Sequence, residues 1–311
     1  MEKSLLIFNR YADKGKHKNS YGKIMDAIKL ADIPVEATIS QYSGHSIELA
    51  ERGVKDGFEK IIAVGGDGSV NEVANGIIRA QQKGYGNAAL GIIPNGRGND
   101  FGYAVKIPQD LNGSIQILKN DCRLTIDVGK VQWGENERYF LNGGGMGFDS
   151  AINFYASKSR FAGFASYGIG LVKAVFRDFR QEQALITAPG FAFNEPVLFV
   201  AFLNGKREGG GFILAPDFDI QDGLLNVCIV GRGSSLPKLL PLIPRFLSGE
   251  LDHPEIVTVK TPRLEVNIKG QGFIGQVDGE CIFTEETNLV AEIAAEKIEL
   301  ITDFKMRESH G

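Results

Sequence analysis

The stretch Ile61 to Gly76, IIAVGGDGSVNEVANG, constrains the fold more than any other part of the chain. Ile61 to Val64 are four apolar residues in a row and fit a buried strand. Gly65, Gly66, Asp67 and Gly68 follow, and a helical pattern begins at once. Val70, Val73, Ala74, Ile77 and Ile78 fall at the spacing of one helix face. Ser69, with Glu72 three residues on, reads as a capping box. A strand that runs through a glycine turn into a helix gathers free backbone N–H groups at a positive helix end, where a phosphate can bind. Asp67 conflicts with that reading, because a bare carboxylate repels phosphate. A divalent cation between the two removes the conflict, as does a proton-handling role for Asp67.

The flanking sequence repeats the alternation. Short apolar runs at Ser4–Phe8, Val35–Ile39, Ala88–Ile93 and Leu124–Val128 alternate with helical spacing over Tyr21–Ala31, Ser46–Lys55 and Leu111–Leu118. Strand and helix in turn predict an α/β domain built on a mainly parallel sheet. In such sheets ligands bind beyond the carboxyl ends of the strands. Three polar loops fall there: 9–18, 65–69 and 94–100. From about residue 128 the texture changes to short β-rich runs punctuated by glycine and Asp-Gly turns, which predicts an antiparallel, sandwich-like second domain. The expected division is a nucleotide-binding domain over residues 1–127, rejoined by about 299–311, and a β-rich substrate domain over 128–298.

Composition narrows the partners. The net charge of −4 gives no case for nucleic acid. Cys122, Cys228 and Cys281 form no CxxC pair, which suits a reducing compartment and argues against zinc or a disulfide framework. No apolar run approaches ~20 residues, so no membrane span is expected. Gly270-x-Gly272-x-x-Gly275 spells a dinucleotide motif, but no helical pattern follows it. Residues 156–180 interleave Phe161, Phe164, Tyr167 and Phe179 with Lys158, Arg160, Lys173, Arg177 and Arg180. That segment reads either as a core helix with a solvated basic face or as a contact with an anionic membrane surface.

The Gly65–Gly76 block resembles the signature of the diacylglycerol kinase and sphingosine kinase catalytic family, GGDGTxNEVxNG, with Ser69 at the threonine. Leu90 to Phe101 (LGIIPNGRGNDF), Asp127 with Gly129, Tyr139 to Asp149 (YFLNGGGMGFD), Gly210 to Val227 (GGFILAPDFDIQDGLLNV) and Val277 to Glu280 (VDGE) resemble further blocks of that family, in family order. The resemblance implies that Gly65, Gly66, Asp67, Gly68, Ser69, Asn71 and Glu72 hold ATP and Mg²⁺. It places Asn9, Ser40 and Arg97 at nucleotide-contacting positions. Asp219, Asp222 and the carbonyl of Leu224 match a second, structural Mg²⁺ site. Glu280 matches the general base that deprotonates a lipid hydroxyl, with Asp67 as its catalytic companion.

Plainer readings stand beside these. Asp278-Gly279 is a common hairpin turn that would leave Glu280 an ordinary carboxylate. Asp219 and Asp222 could simply cap their own turn. The chain also departs from the family: Arg10 follows Asn9, Asp13 replaces a glycine, and Arg97 replaces a threonine. The expected activity is ATP-dependent phosphorylation of a lipid hydroxyl, diacylglycerol or a related glycerolipid, by a cytoplasmic enzyme that touches the membrane transiently. A homodimer is compatible with it, and nothing in the sequence sets the oligomeric state. The alternatives are a non-catalytic nucleotide- or lipid-binding member, or a kinase of a small soluble acceptor.

Overall fold

A computed structural model describes residues 3–9, 20–96, 98–157, 170, 173–174, 177, 179–231 and 241–304. The chain divides into two compact units, Met1–Asp127 with Glu296–Gly311, and Val128–Ala295.

The first unit runs β1 (Ser4–Asn9), α1 (Ser20–Leu30), β2 (Val35–Ser40), α2 (His45–Lys55), β3 (Lys60–Gly65), α3 (Asp67–Gln82), β4 (Ala89–Pro94), α4 (Asp100–Ala104) and α5 (Leu111–Asn120). The alternation expected from the apolar runs is realised as a parallel sheet. β2 pairs with β1, β1 with β3, and β3 with β4. The last strand of the chain, β17 (Asn288–Ile301), returns to pair Leu300 with Leu90 of β4, also in parallel. The strands are continuous apolar runs because both faces are covered: Ile61 to Val64 are at most 1% exposed. β1 has β2 on one side and β3 on the other, so the chain winds outward in one direction and then in the other. The switch point, where open α/β sheets leave a crevice, lies at the carboxyl ends of β1 and β3.

α3 is buried almost all round, from Ser69 to Ile78. Its contact with α2 is close because Gly76 lacks a side chain. A Cβ there would lie 2.4 Å from the Ile47 carbonyl oxygen and 2.6 Å from Ala50 Cβ. Gly76→Ala is expected to cost about 1–3 kcal/mol, since overpacking a rigid contact forces backbone shifts. Urea denaturation measures it, and an unchanged midpoint would show that the two helices separate freely.

The expected capping box is not what forms. α3 begins at Asp67, with Gly66 in extended conformation and no side chain capping the helix. The helix therefore starts three residues earlier than the pattern suggested, and Ser69 already lies inside the first turn. Ser69 Oγ instead accepts a hydrogen bond from Asn9 Nδ2 at 2.9 Å. Glu72 caps the neighbouring helix: its carboxylate accepts from the backbone N–H groups of Gly44 (2.7 Å) and Ser46 (3.2 Å) at the start of α2.

The second unit is β-rich and antiparallel. It contains β5 (Arg123–Trp133, which enters it from Val128), β6 (Asn136–Phe140), β7 (Gly143–Gly147), α6 (Phe148–Ser157), β8 (Glu182–Ala188), β9 (Phe191–Leu203), β10 (Arg207–Glu208), β11 (Phe212–Ile213), β12 (Leu225–Gly231), α7 (Leu242–Ser248), β13 (Ile256–Thr261), β14 (Arg263–Lys269), β15 (Phe273–Val277) and β16 (Glu280–Glu286). The strands lie in the order β16, β15, β7, β9, β8, β14, with β17 beside β14. One core packs Phe140, Met146, Phe202, Val227, Leu264 and Val266; a second packs Phe148, Leu198, Cys228, Leu242 and Ile274. Phe179 joins the second core, its ring edge-on to Phe148 at 5.3 Å. Phe161, Phe164 and Tyr167 of the aromatic-basic segment lie outside the described residues. Among the described residues no helix is long and apolar enough to cross a membrane.

Candidate active site

The switch point collects most of the nucleotide-site residues expected from the sequence. Asn9 ends β1 and pairs in register with Ser40, which ends β2 and is buried. Asn9 then reaches across to Ser69 at the start of α3. Gly65 has no room for a side chain, because a Cβ would lie 2.2 Å from Ser69 Oγ. Gly66 meets the turn after β4: a Cβ on Gly96 would lie 2.3 Å from Gly66 Cα. The carbonyl of Gly65 accepts from Asn95 N at 2.8 Å, which ties the two turns together. Gly68 lies in the first turn of α3, beside Asp67. Asn71 and Glu72 lie deeper in α3 and are buried. Asn71 accepts from Asn75 Nδ2 at 2.9 Å through its carbonyl and at 3.1 Å through Oδ1, and Glu72 holds α2. These two therefore support the turn from behind. The first loop, residues 10–19, and Arg97 lie outside the described residues.

Asp67 faces the second turn. Its Oδ1 accepts from Phe101 N at 3.1 Å. Its Oδ2 lies 3.2 Å from the position a Cβ on Gly98 would take, and Asp100 Oδ2 lies 3.5 Å from the same point. Two carboxylates thus converge on a glycine that leaves the space between them open. Oxygen ligands of this kind fit a divalent cation such as Mg²⁺, which takes one or two carboxylates and completes its shell with water and substrate phosphates. Among the described residues no group of three or more His, Cys, Asp or Glu side chains is gathered, so the remaining ligands would come from nucleotide and water. Asp100 was not singled out from the sequence. Its signal was the Asn-Asp-Phe that closes the second loop.

In the β-rich unit, β15 and β16 are joined by Asp278-Gly279, both at positive φ (45° and 82°), with Val277 paired to Glu280. The hairpin reading of that dipeptide is therefore correct, and it places Glu280 as the first residue of β16. The Glu280 carboxylate is 40% exposed and faces the Arg138 guanidinium at 3.1 Å. Asp219 and Asp222 each close their own turn, accepting from Gln221 N (2.8 Å) and Leu224 N (2.9 Å). Asp222 Oδ2 also faces the Lys260 ammonium at 3.3 Å, and that ammonium donates to the Asp217 carbonyl at 2.7 Å. Lys260 thus already pairs with Asp222, one of the two expected carboxylate ligands. Asp219 and Asp222, turned to the backbone of their own turns and with Lys260 on Asp222, therefore fit a structural Mg²⁺ poorly.

Asp149 opens α6. Desolvation pushes its carboxyl up to about 7, against a weaker opposing effect from hydrogen bonds to Ser150. Its folded pKa lies above the unfolded value, so its contribution is fully present below about pH 4 and is lost as pH rises through about 7. Asp149→Asn is thus expected to gain about 3 kcal/mol over wild type between pH 4.5 and pH 7.5. Urea unfolding at both pH values checks it, and a pH-independent difference would mean the carboxyl titrates normally.

Solved structures titled as diacylglycerol kinases from Bacillus anthracis str. Sterne share the fold over 97% of both chains, at 22% identity and TM-scores of 0.72 and 0.76. Residues 3–131 match the diacylglycerol kinase catalytic domain, and residues 145–302 match the YegS C-terminal NAD kinase beta sandwich-like domain. A diacylglycerol kinase of Staphylococcus haemolyticus is 30% identical over 84% of this chain and 77% of its own length. A probable YegS-like lipid kinase of Pseudomonas aeruginosa is 31% identical over 76% and 75%. The chain belongs to the diacylglycerol kinase and YegS-like lipid kinase family.

Proposed function

We propose that the chain transfers the γ-phosphoryl of ATP to a hydroxyl of diacylglycerol or a related glycerolipid. The observation that carries this reading is the pair of glycine turns at the switch point, with Asp67 and Asp100 converging on Gly98. Phosphoryl transfer asks a protein for positioning and charge neutralisation more than for covalent chemistry. Backbone amides near the start of α3 would hold phosphate oxygens, and Asn9 with Ser69 would fix the turn that presents them. A divalent ion held by Asp67 and Asp100 would supply neutralisation of the triphosphate. Glu280 would accept the proton of the lipid hydroxyl as its oxygen bonds to phosphorus and the bond to the β-phosphate oxygen breaks, leaving ADP. Contact with a membrane surface would be transient, as the acceptor requires.

The test is labelled ATP with Mg²⁺ and a panel of diacylglycerol, phosphatidylglycerol, sphingosine and a nicotinamide dinucleotide, followed by lipid extraction. Label in diacylglycerol or phosphatidylglycerol is the expected result. Transfer to the dinucleotide without detergent would overturn the lipid reading, and ATP binding with no transfer would overturn catalysis.

A further inference from the structure

The carboxylate of Asp278 does not face solvent as a hairpin turn residue would be expected to. It is 6% exposed. Its Oδ2 accepts from Leu141 N, and its Oδ1 accepts from both Asn142 N and Gly143 N, each at 3.0 Å. Its own N–H donates to the Gly143 carbonyl at 2.8 Å. The turn is thus bolted to the corner between β6 and β7. That corner lies just after Arg138 on β6, and the turn lies immediately before Glu280 on β16. A second tie holds the other side: Gly279 N donates to Gln276 Oε1 at 2.9 Å, and Gln276 Nε2 donates to Glu208 Oε2 at 3.2 Å.

We infer that Asp278 is a positioning residue for phosphoryl transfer: its carboxylate clamps three backbone amides and thereby fixes Glu280 against Arg138. The inference rests on the reading of Glu280 as general base. The chemistry of the clamp is specific. A carboxylate offers acceptors on both oxygens, which suits three converging N–H donors. An asparagine keeps one acceptor and turns an NH₂ toward a backbone N–H, so at least one bond is lost. Asn-Gly is nonetheless the favoured pair for a two-residue turn with both residues at positive φ, so Asp278→Asn keeps the hairpin and weakens the clamp. A displacement on the order of 1 Å at a catalytic group can cost ~10²-fold in rate.

The experiment has two arms. Amide hydrogen exchange, read by mass spectrometry on peptides spanning 138–147, is expected to speed up about tenfold in Asp278→Asn, because at least one of the three amides loses its acceptor. Unchanged exchange would overturn the clamp, whatever the activity. The kinetic arm uses dioleoylglycerol in mixed micelles with Mg–ATP. Asp278→Asn is expected to lower kcat about 10- to 100-fold, with both KM values within about twofold. Placed in a Glu280→Gln background, Asp278→Asn is expected to cause no further loss, since a residue that acts through Glu280 has nothing left to position. Full additivity in the double variant would overturn the positioning role and leave only a structural one. A wild-type enzyme inactive on every lipid would overturn the proposed function and, with it, the catalytic half of this inference. Additive losses in an active enzyme would overturn the inference alone.

Discussion

Glu280→Gln is expected to lower kcat for lipid phosphorylation by about 10²- to 10⁴-fold, the range a positioned general base contributes. The change is nearly isosteric and sits at a 40% exposed position at the start of β16, so stability should hold. The loss should be in kcat, with KM for ATP unchanged, because the carboxylate acts on the acceptor hydroxyl and not on the nucleotide. A steady-state comparison on dioleoylglycerol micelles measures all of this. A variant within about threefold of wild type would remove Glu280 from the chemistry, since a base contributes far more than that.

Asp67→Asn is expected to be comparably severe for a different reason. An amide at 67 can still accept the hydrogen bond from Phe101 N through its remaining oxygen, so the turn should survive. The combined formal charge of the two carboxylates at Gly98 is halved. Divalent ions bound by few carboxylates depend strongly on each one, and transition-state charge stabilisation by such an ion is worth several kcal/mol. The expected result is a fall in kcat of about 10³-fold that excess Mg²⁺ partly restores. Calorimetric titration with Mg–ADP separates the effects: weakened metal-dependent nucleotide binding supports the assignment. Wild-type turnover and metal dependence together would sink it.

The sequence carried the first unit well because its signals are local. Apolar runs of four to six residues between helical spacings allow only buried parallel strands, and Ile61 to Val64 behave accordingly. The glycine turn was legible for the same reason, although its partner was not. Nothing in Ser69-x-x-Glu72 says that the serine will bind Asn9 from another strand or that the glutamate will cap another helix. Both outcomes depend on α2 and β1 being packed against α3, which is a tertiary fact. The second unit was legible in outline only. β7 reads Gly-Gly-Gly-Met-Gly, a composition that disfavours a strand. It is one nonetheless, because its neighbours press too close for side chains: a Cβ on Gly144 would lie 2.7 Å from the Gln276 carbonyl oxygen. Asp278 was hidden by a similar limit. Asp-Gly announces a turn, and no local pattern shows that the aspartate will be buried against three amides 135–137 residues away in the chain.

The return of β17 to β4 bears on biosynthesis. Until residues 296–301 leave the ribosome, β4 presents an unpaired edge, and unpaired strand edges invite association with other chains. The nascent α/β unit must therefore wait through translation of the entire β-rich unit before its sheet can close. Gene fragments that stop short of residue 296 should accumulate as aggregates, whereas a circular permutant that feeds β17 in first would let the same sheet assemble early.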